Sequence, residues 1–130
     1  MKQKLAQIAL VVKDYDEAIR FYTEVLQFDL IEDTVLSETK RWVLVRPQGG
    51  DSCCLLLAKA KNEAEAASIG NQTGGRVFLF LHTENFDEYY QRLLDYEVKI
   101  IREPVVEKWG KVAVFADLYG NMWDLIEPKT

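Results

Sequence analysis

Few side chains in this sequence could carry chemistry on their own. His82 is the single histidine, and it falls at the end of an apolar segment, where a surface or structural role fits better than general-base work. Cys53 and Cys54 are adjacent. On a strand they point to opposite faces and cannot easily bridge each other, so they read as reduced, small apolar residues. There is no Ser-His-Asp set, no phosphate loop and no paired-cysteine zinc pattern. Tyr15, Tyr22, Tyr89, Tyr90 and Tyr96 lie on or beside amphipathic helical stretches and read as packing residues. What remains is binding chemistry: a set of aromatic residues, Trp42, Phe78, Phe80, Trp109 and Phe115, with a few charged residues set in apolar surroundings.

The chain that must position these groups has 130 residues, a length that fits one compact domain. Its hydrophobic fraction of 48% is enough for a sizeable core. A formal net charge of -5, with the basic residues scattered among acids, argues against nucleic-acid binding, which needs clustered Lys and Arg. No apolar run approaches the roughly 20 residues of a membrane helix. Leu5 to Val12 is short and runs straight into Lys13-Asp14-Tyr15-Asp16-Glu17 without a cleavage site. With its unpaired cysteines, the chain is expected to be cytoplasmic.

Along the chain one order of elements occurs twice. Leu5 to Val12 reads as a strand buried on both faces. Asp14, with Glu17 three residues on, has the pattern of a capping box. Ala18, Ile19, Tyr22, Val25 and Leu26 then recur at helical spacing. Strands are expected at Phe28 to Leu36, Arg41 to Arg46 and Ser52 to Ala58. In the second half the strand is Arg76 to Leu81, and Asn85 is the expected cap of a helix through Phe86 to Tyr96. Strands follow at Val98 to Val106, Lys111 to Ala116 and Asn121 to Ile126. Asp14 to Glu17 matches Asn85 to Glu88 at an offset of 71, while Gln7 to Leu10 and Val43 to Val45 find their matches at 69. The expectation is an α+β chain of two tandem βαβββ modules, residues 1–58 and 76–130, joined by a linker at 59–75 with one short helix near Glu63 to Ile69.

Tandem βαβββ modules are the organisation of the vicinal oxygen chelate superfamily, the fold of glyoxalases, bleomycin-resistance proteins and extradiol dioxygenases. Ile8 to Val12 with Asp14 to Ala18 and Phe21-Tyr22 resembles its opening strand and helix. Asp117 to Asn121 with Asp124-Leu125-Ile126 resembles its closing turn and last strand. The resemblance implies cupped mixed sheets around a cavity, helices on the convex faces, and commonly a homodimer. Alternation along the strands then gives a pocket-facing set. It comprises Gln7, Trp42, Arg46, Leu56, Arg76, Phe78, Phe80, Phe115 and Asp124, with Trp109 in a hairpin turn at the cavity mouth.

The same resemblance places the family's metal ligands at Gln7, Leu56, Arg76 and Asp124. Only Asp124 is an ionised ligand, and Arg76 repels a cation. No cofactor is therefore expected, with a weakly held divalent metal on Asp124 as the alternative. Arg76 and Asp124 are expected to form an ion pair where relatives hold a metal. Three readings stay open. The first is a metal-free module that binds an amphipathic or anionic small molecule. The second is a metal-assisted lyase or dioxygenase with a non-standard site and Asp124 as base or ligand. The third is an interaction protein with no pocket function.

Overall fold

A computed structural model describes residues 1–130. The first half runs β1 (Gln7–Val12), α1 (Tyr15–Arg20), a π-helical turn (Phe21–Val25), β2 (Asp29–Val35), β3 (Arg41–Arg46), β4 (Cys54–Lys59) and α2 (Glu63–Ser68). The second runs β5 (Val77–His82), α3 (Phe86–Asp95), β6 (Ile100–Glu107), β7 (Gly110–Ala116) and β8 (Met122–Pro128). The strands form two four-stranded mixed sheets, ordered β1-β4-β3-β2 and β5-β8-β7-β6. In each, the first strand pairs parallel with the last and the remaining pairs are antiparallel. This is an α+β, tandem βαβββ fold. No helix is long and apolar enough to cross a membrane.

The chain divides into two compact units, Met1–Ile69 and Gly70–Thr130. The expected linker at 59–75 is thus shared between them. Residues up to Ile69 belong with the first unit, where α2 lies against β1. The segment from Gly70 belongs with the second. There Gln72 donates its main-chain N–H to the Asn121 side-chain oxygen at 3.2 Å. Gly70 has φ +76, and a Cβ on it would meet the Tyr119 carbonyl oxygen at 2.0 Å, so only glycine fits.

In the first unit one face of the sheet is covered by helix. Leu10, Val12, Val43, Val45, Leu55 and Leu57 are buried on it, and the helical segment contributes Ala18, Phe21 and Tyr22. The strand β1 is not buried on both faces, as its composition suggested: Ala9 is exposed and Val11 half-buried. Asp14 caps α1, its carboxylate accepting the Glu17 N–H at 2.9 Å. Arg41 fastens helix to sheet. Its guanidinium forks onto Asp33 at 3.1 and 2.7 Å and reaches Asp16 of α1 at 2.8 Å. That hydrogen-bonded guanidinium also holds the Asp33 carboxyl below the usual aspartate value.

In the second unit α3 covers Leu81, Ala113, Phe115, Trp123 and Leu125 with Phe86 and Leu93. The Asn85 side chain does not cap α3; it donates to the Glu88 carboxylate instead. The first N–H of the helix, on Phe86, goes to the Glu127 carboxylate of β8 at 2.8 Å. A strand residue therefore supplies the negative charge that a helix N-terminus favours.

The two units differ by single residues, and each difference is absorbed locally. Gln7 and Val77 hold equivalent places opposite Cys54 and Met122, whereas Ala9 corresponds to Phe80, because Phe78 is bulged out of the β5–β8 ladder. Both helices end in a left-handed residue, Gln27 at φ 60 and Glu97 at φ 57. From cap to this residue the first helix is one residue longer, and the π turn takes up the surplus through a Leu26 N–H to Phe21 carbonyl bond of 3.1 Å.

Replacing Glu127 with alanine should strip the partner from the Phe86 N–H and lower stability by about 1 kcal/mol, the usual worth of a helix cap. The check is urea unfolding: the midpoint should fall with the slope unchanged.

Candidate functional site

Each sheet has one face packed under its helix and one open face, and the open faces are where a ligand can be met. In the first unit three rows of side chains cross β1, β4 and β3 on the open face. Ladder pairing gives Gln7 beside Cys54, Ala9 beside Leu56 and Val11 beside Ala58. Leu56 pairs with Leu44, and continuing that register sets Arg46 beside Cys54 and Trp42 beside Ala58. On the edge strand β2, Asp29, Glu32 and Thr34 face Arg46, Leu44 and Trp42. The structure therefore brings Gln7, Leu56, Trp42 and Arg46 together, as strand alternation requires.

Arg46 is half-buried, and its Nε is fully buried with no hydrogen-bond partner. A buried donor without an acceptor costs about 1–3 kcal/mol, more when charged. The ion pairs of the chain are Arg41 with Asp16 and Asp33, and Lys111 with Asp87. Asp29, opposite Arg46, is not at ion-pairing distance.

In the second unit the open face carries Phe80, Asp124, Val114 and Arg102 in one row across all four strands. Ile126 and Val112 pair in the next row, and Met122 and Ala116 in the one before. Phe80 is 62% exposed despite its size. Asp124 is half-buried among these apolar neighbours, and that burial pushes its carboxyl above the usual aspartate value, with the Arg102 charge acting the other way.

Several sequence expectations need correction here. Arg76 is exposed, precedes β5 and makes no ion pair with Asp124; the cation acting on Asp124 is Arg102 of β6. Arg76 instead lines a shallow hollow of about 110 Å³ with Gln72, Ile101, Asn121 and Met122. Phe115 does not face a ligand. It is fully buried on the helix face, its ring stacked on Trp123 at 6.1 Å between centroids. Val112, Val114 and Ala116 take the helix-free side of β7 instead, where they are nonetheless buried. Phe78 sits in the β5 bulge, and Trp109 is 54% exposed in the β6–β7 turn.

The positions expected for the superfamily's metal ligands hold an amide, a leucine, an exposed arginine and one carboxylate, and Val77, the counterpart of Gln7 in the ladder, offers no donor either. Gln7 and Leu56 lie on the open face of the first sheet, two residues out of register with each other, and Asp124 on that of the second. No group of three or more His, Cys, Asp or Glu side chains is assembled anywhere in the fold. This donor set does not fit a divalent transition metal.

Residues 4–125 match the family model of the Glyoxalase/Bleomycin resistance protein/Dioxygenase superfamily. The chain belongs to this superfamily. An uncharacterized protein of Shewanella frigidimarina (strain NCIMB 400) is 54% identical over 128 residues, covering 98% of this chain and 95% of its own. The crystal structure of UcmS2 superposes with a TM-score of 0.83 at 32% identity, over 98% of this chain and 99% of that one. TnmS3, an antibiotic binding protein from Streptomyces sp. CB03234, gives a TM-score of 0.77 at 28% identity, over 98% of both chains.

The raised value of Asp124 fixes the sign of a pH effect. The folded chain binds this proton more readily than the unfolded chain, so Asp124 opposes folding increasingly as pH rises through the folded value. Asp124→Asn should therefore raise Tm at pH 7. The gain should shrink towards zero as pH falls to roughly 4, the ordinary aspartate range, which paired thermal melts at the two pH values can show.

Proposed function

We propose that this superfamily member is a metal-free binding protein that takes up a flat, largely apolar small molecule on the open faces of its sheets. The observation that carries this reading is the open face of the first sheet. Trp42, Leu44, Leu56, Ala58, Ala9 and Val11 offer a continuous apolar bed with one aromatic ring, and half of a mixed sheet is left without a helix over it. The donor set at the metal positions, and the likeness to an antibiotic binding protein, support binding over metal-assisted chemistry. We place this activity in the cytoplasm, where the unpaired Cys53 and Cys54 would stay reduced.

Protein purified without chelators should hold well under one equivalent of any transition metal by elemental analysis. It should gain thermal stability from at least one member of a panel of planar aromatic compounds. Trp42→Leu should weaken that ligand about tenfold, the scale of a lost aromatic stack plus contact area. A stoichiometric metal, or a panel without effect, counts against the reading.

The chain is further proposed to act as a homodimer. Apolar side chains stay exposed on both outer edge strands: Leu30, Ile31 and Val35 on β2, and Ile101, Val105 and Val106 on β6. Exposed apolar edges invite pairing with another chain. Light scattering at micromolar concentration should give twice the 15.0 kDa of one chain; the single-chain mass would refute the dimer.

A further inference from the structure

The open face of the first sheet is not uniform along its strands. Two of its three rows are apolar: Val11, Ala58 and Trp42 in one, Ala9, Leu56 and Leu44 in the next. The third row is made of hydrogen-bond donors. Gln7 brings an amide NH₂, Cys54 a thiol and Arg46 a guanidinium. Arg46 is the only positive charge on that face, and β2 at its edge carries no Lys or Arg. Its Nε is buried and lacks an acceptor. Asp29 stands across from it on the exposed edge without closing an ion pair. With no ion pair to Arg46 and two further donors beside it, the row suits an oxyanion that the protein itself does not supply, met by the terminal nitrogens of the guanidinium.

We propose that Arg46, with Gln7 and Cys54 beside it, recognises an acidic group on the ligand. The ligand class is then an elongated flat compound with a carboxylate or similar planar oxyanion at one end. Trp42 lies four residue steps along β3 from Arg46, so the ligand's rings extend about 13 Å over Leu44 and Leu56 towards Trp42. The guanidinium fork suits a planar oxyanion better than a point charge would. This inference rests on the open face being a binding site, and it adds which chemistry that site selects.

Anthracene-2-carboxylic acid and anthracene-2-carboxamide differ in charge and hardly in shape, which makes them a discriminating pair of probes. Wild-type protein should bind the acid about tenfold more tightly than the amide in fluorescence titrations. Arg46→Gln should erase that preference by weakening the acid far more than the amide, while Arg46→Lys keeps part of it. Because the buried Nε has no partner to lose, Arg46→Gln should melt no lower than wild type; a clear drop in Tm marks a structural role and overturns the proposal. Equal affinity of wild type for acid and amide overturns it as well, as does a preference that survives Arg46→Gln. Binding of neither probe, by protein that other flat apolar compounds stabilise, overturns the anion assignment alone. Failure of every compound to bind removes the underlying reading of the face.

Discussion

The main-chain N–H groups of Tyr119, Gly120 and Asn121 converge on one carboxylate oxygen of Asp117, at 2.9, 3.0 and 2.9 Å. The other oxygen takes the Asn121 amide at 2.9 Å, and the Asp117 N–H returns to the Asn121 carbonyl at 2.8 Å. Both residues are buried. This knot closes the β7–β8 hairpin so that Ala116 must pair with Met122. Every pair below follows from it, and a strand displaced by one residue turns each side chain to the opposite face. Which residues of the second unit face α3, and which lie on the opposite side of the sheet, is thus decided by one short turn.

That dependence explains what could and could not be read in advance. The eight strands, the two main helices and the short helix at Glu63–Ser68 are all carried by apolar periodicity and by turn residues, and they stand within a few residues of where the sequence suggests. The faces of β1, β3, β4 and β8 follow from alternation. The face of β7 does not, because Val112 to Ala116 is apolar at every position and has no period to read. Alternation along such a strand cannot tell one face from the other, and the pocket-facing parity expected for Phe115 is the wrong one. The usable signal was the turn length, since a five-residue loop at Asp117–Asn121 gives Phe115 and Trp123 the same face. Arg76 failed for a related reason. The bulge at Phe78 makes Val77, not Arg76, the counterpart of Gln7.

Electrostatics separates the two open faces more sharply than their common order of elements would suggest. On the first sheet Arg46 has a buried Nε with no acceptor and no ion-pair partner. On the second, Asp124 is an anion partly desolvated among Phe80, Val114 and Ile126, and eased only by Arg102 two strands away. Neither charge contributes to folding in the way the Arg41 fork does, which joins helix and sheet within one unit. Asp124 is held where burial disfavours its charge, a common mark of residues kept for recognition.

The π turn at Phe21–Val25 has a bearing on how such a doubled chain can drift. A residue gained inside a helix would ordinarily rotate everything after it by about 100°, and so turn the following strand away from its partners. Here the extra residue is looped into one widened turn, and Gln27 still leaves the helix as Glu97 does in the other half. Length and facing are thereby uncoupled. Each half of the gene can accept or lose a codon within its own helix or bulge, and the remainder of that half keeps its inside and its outside.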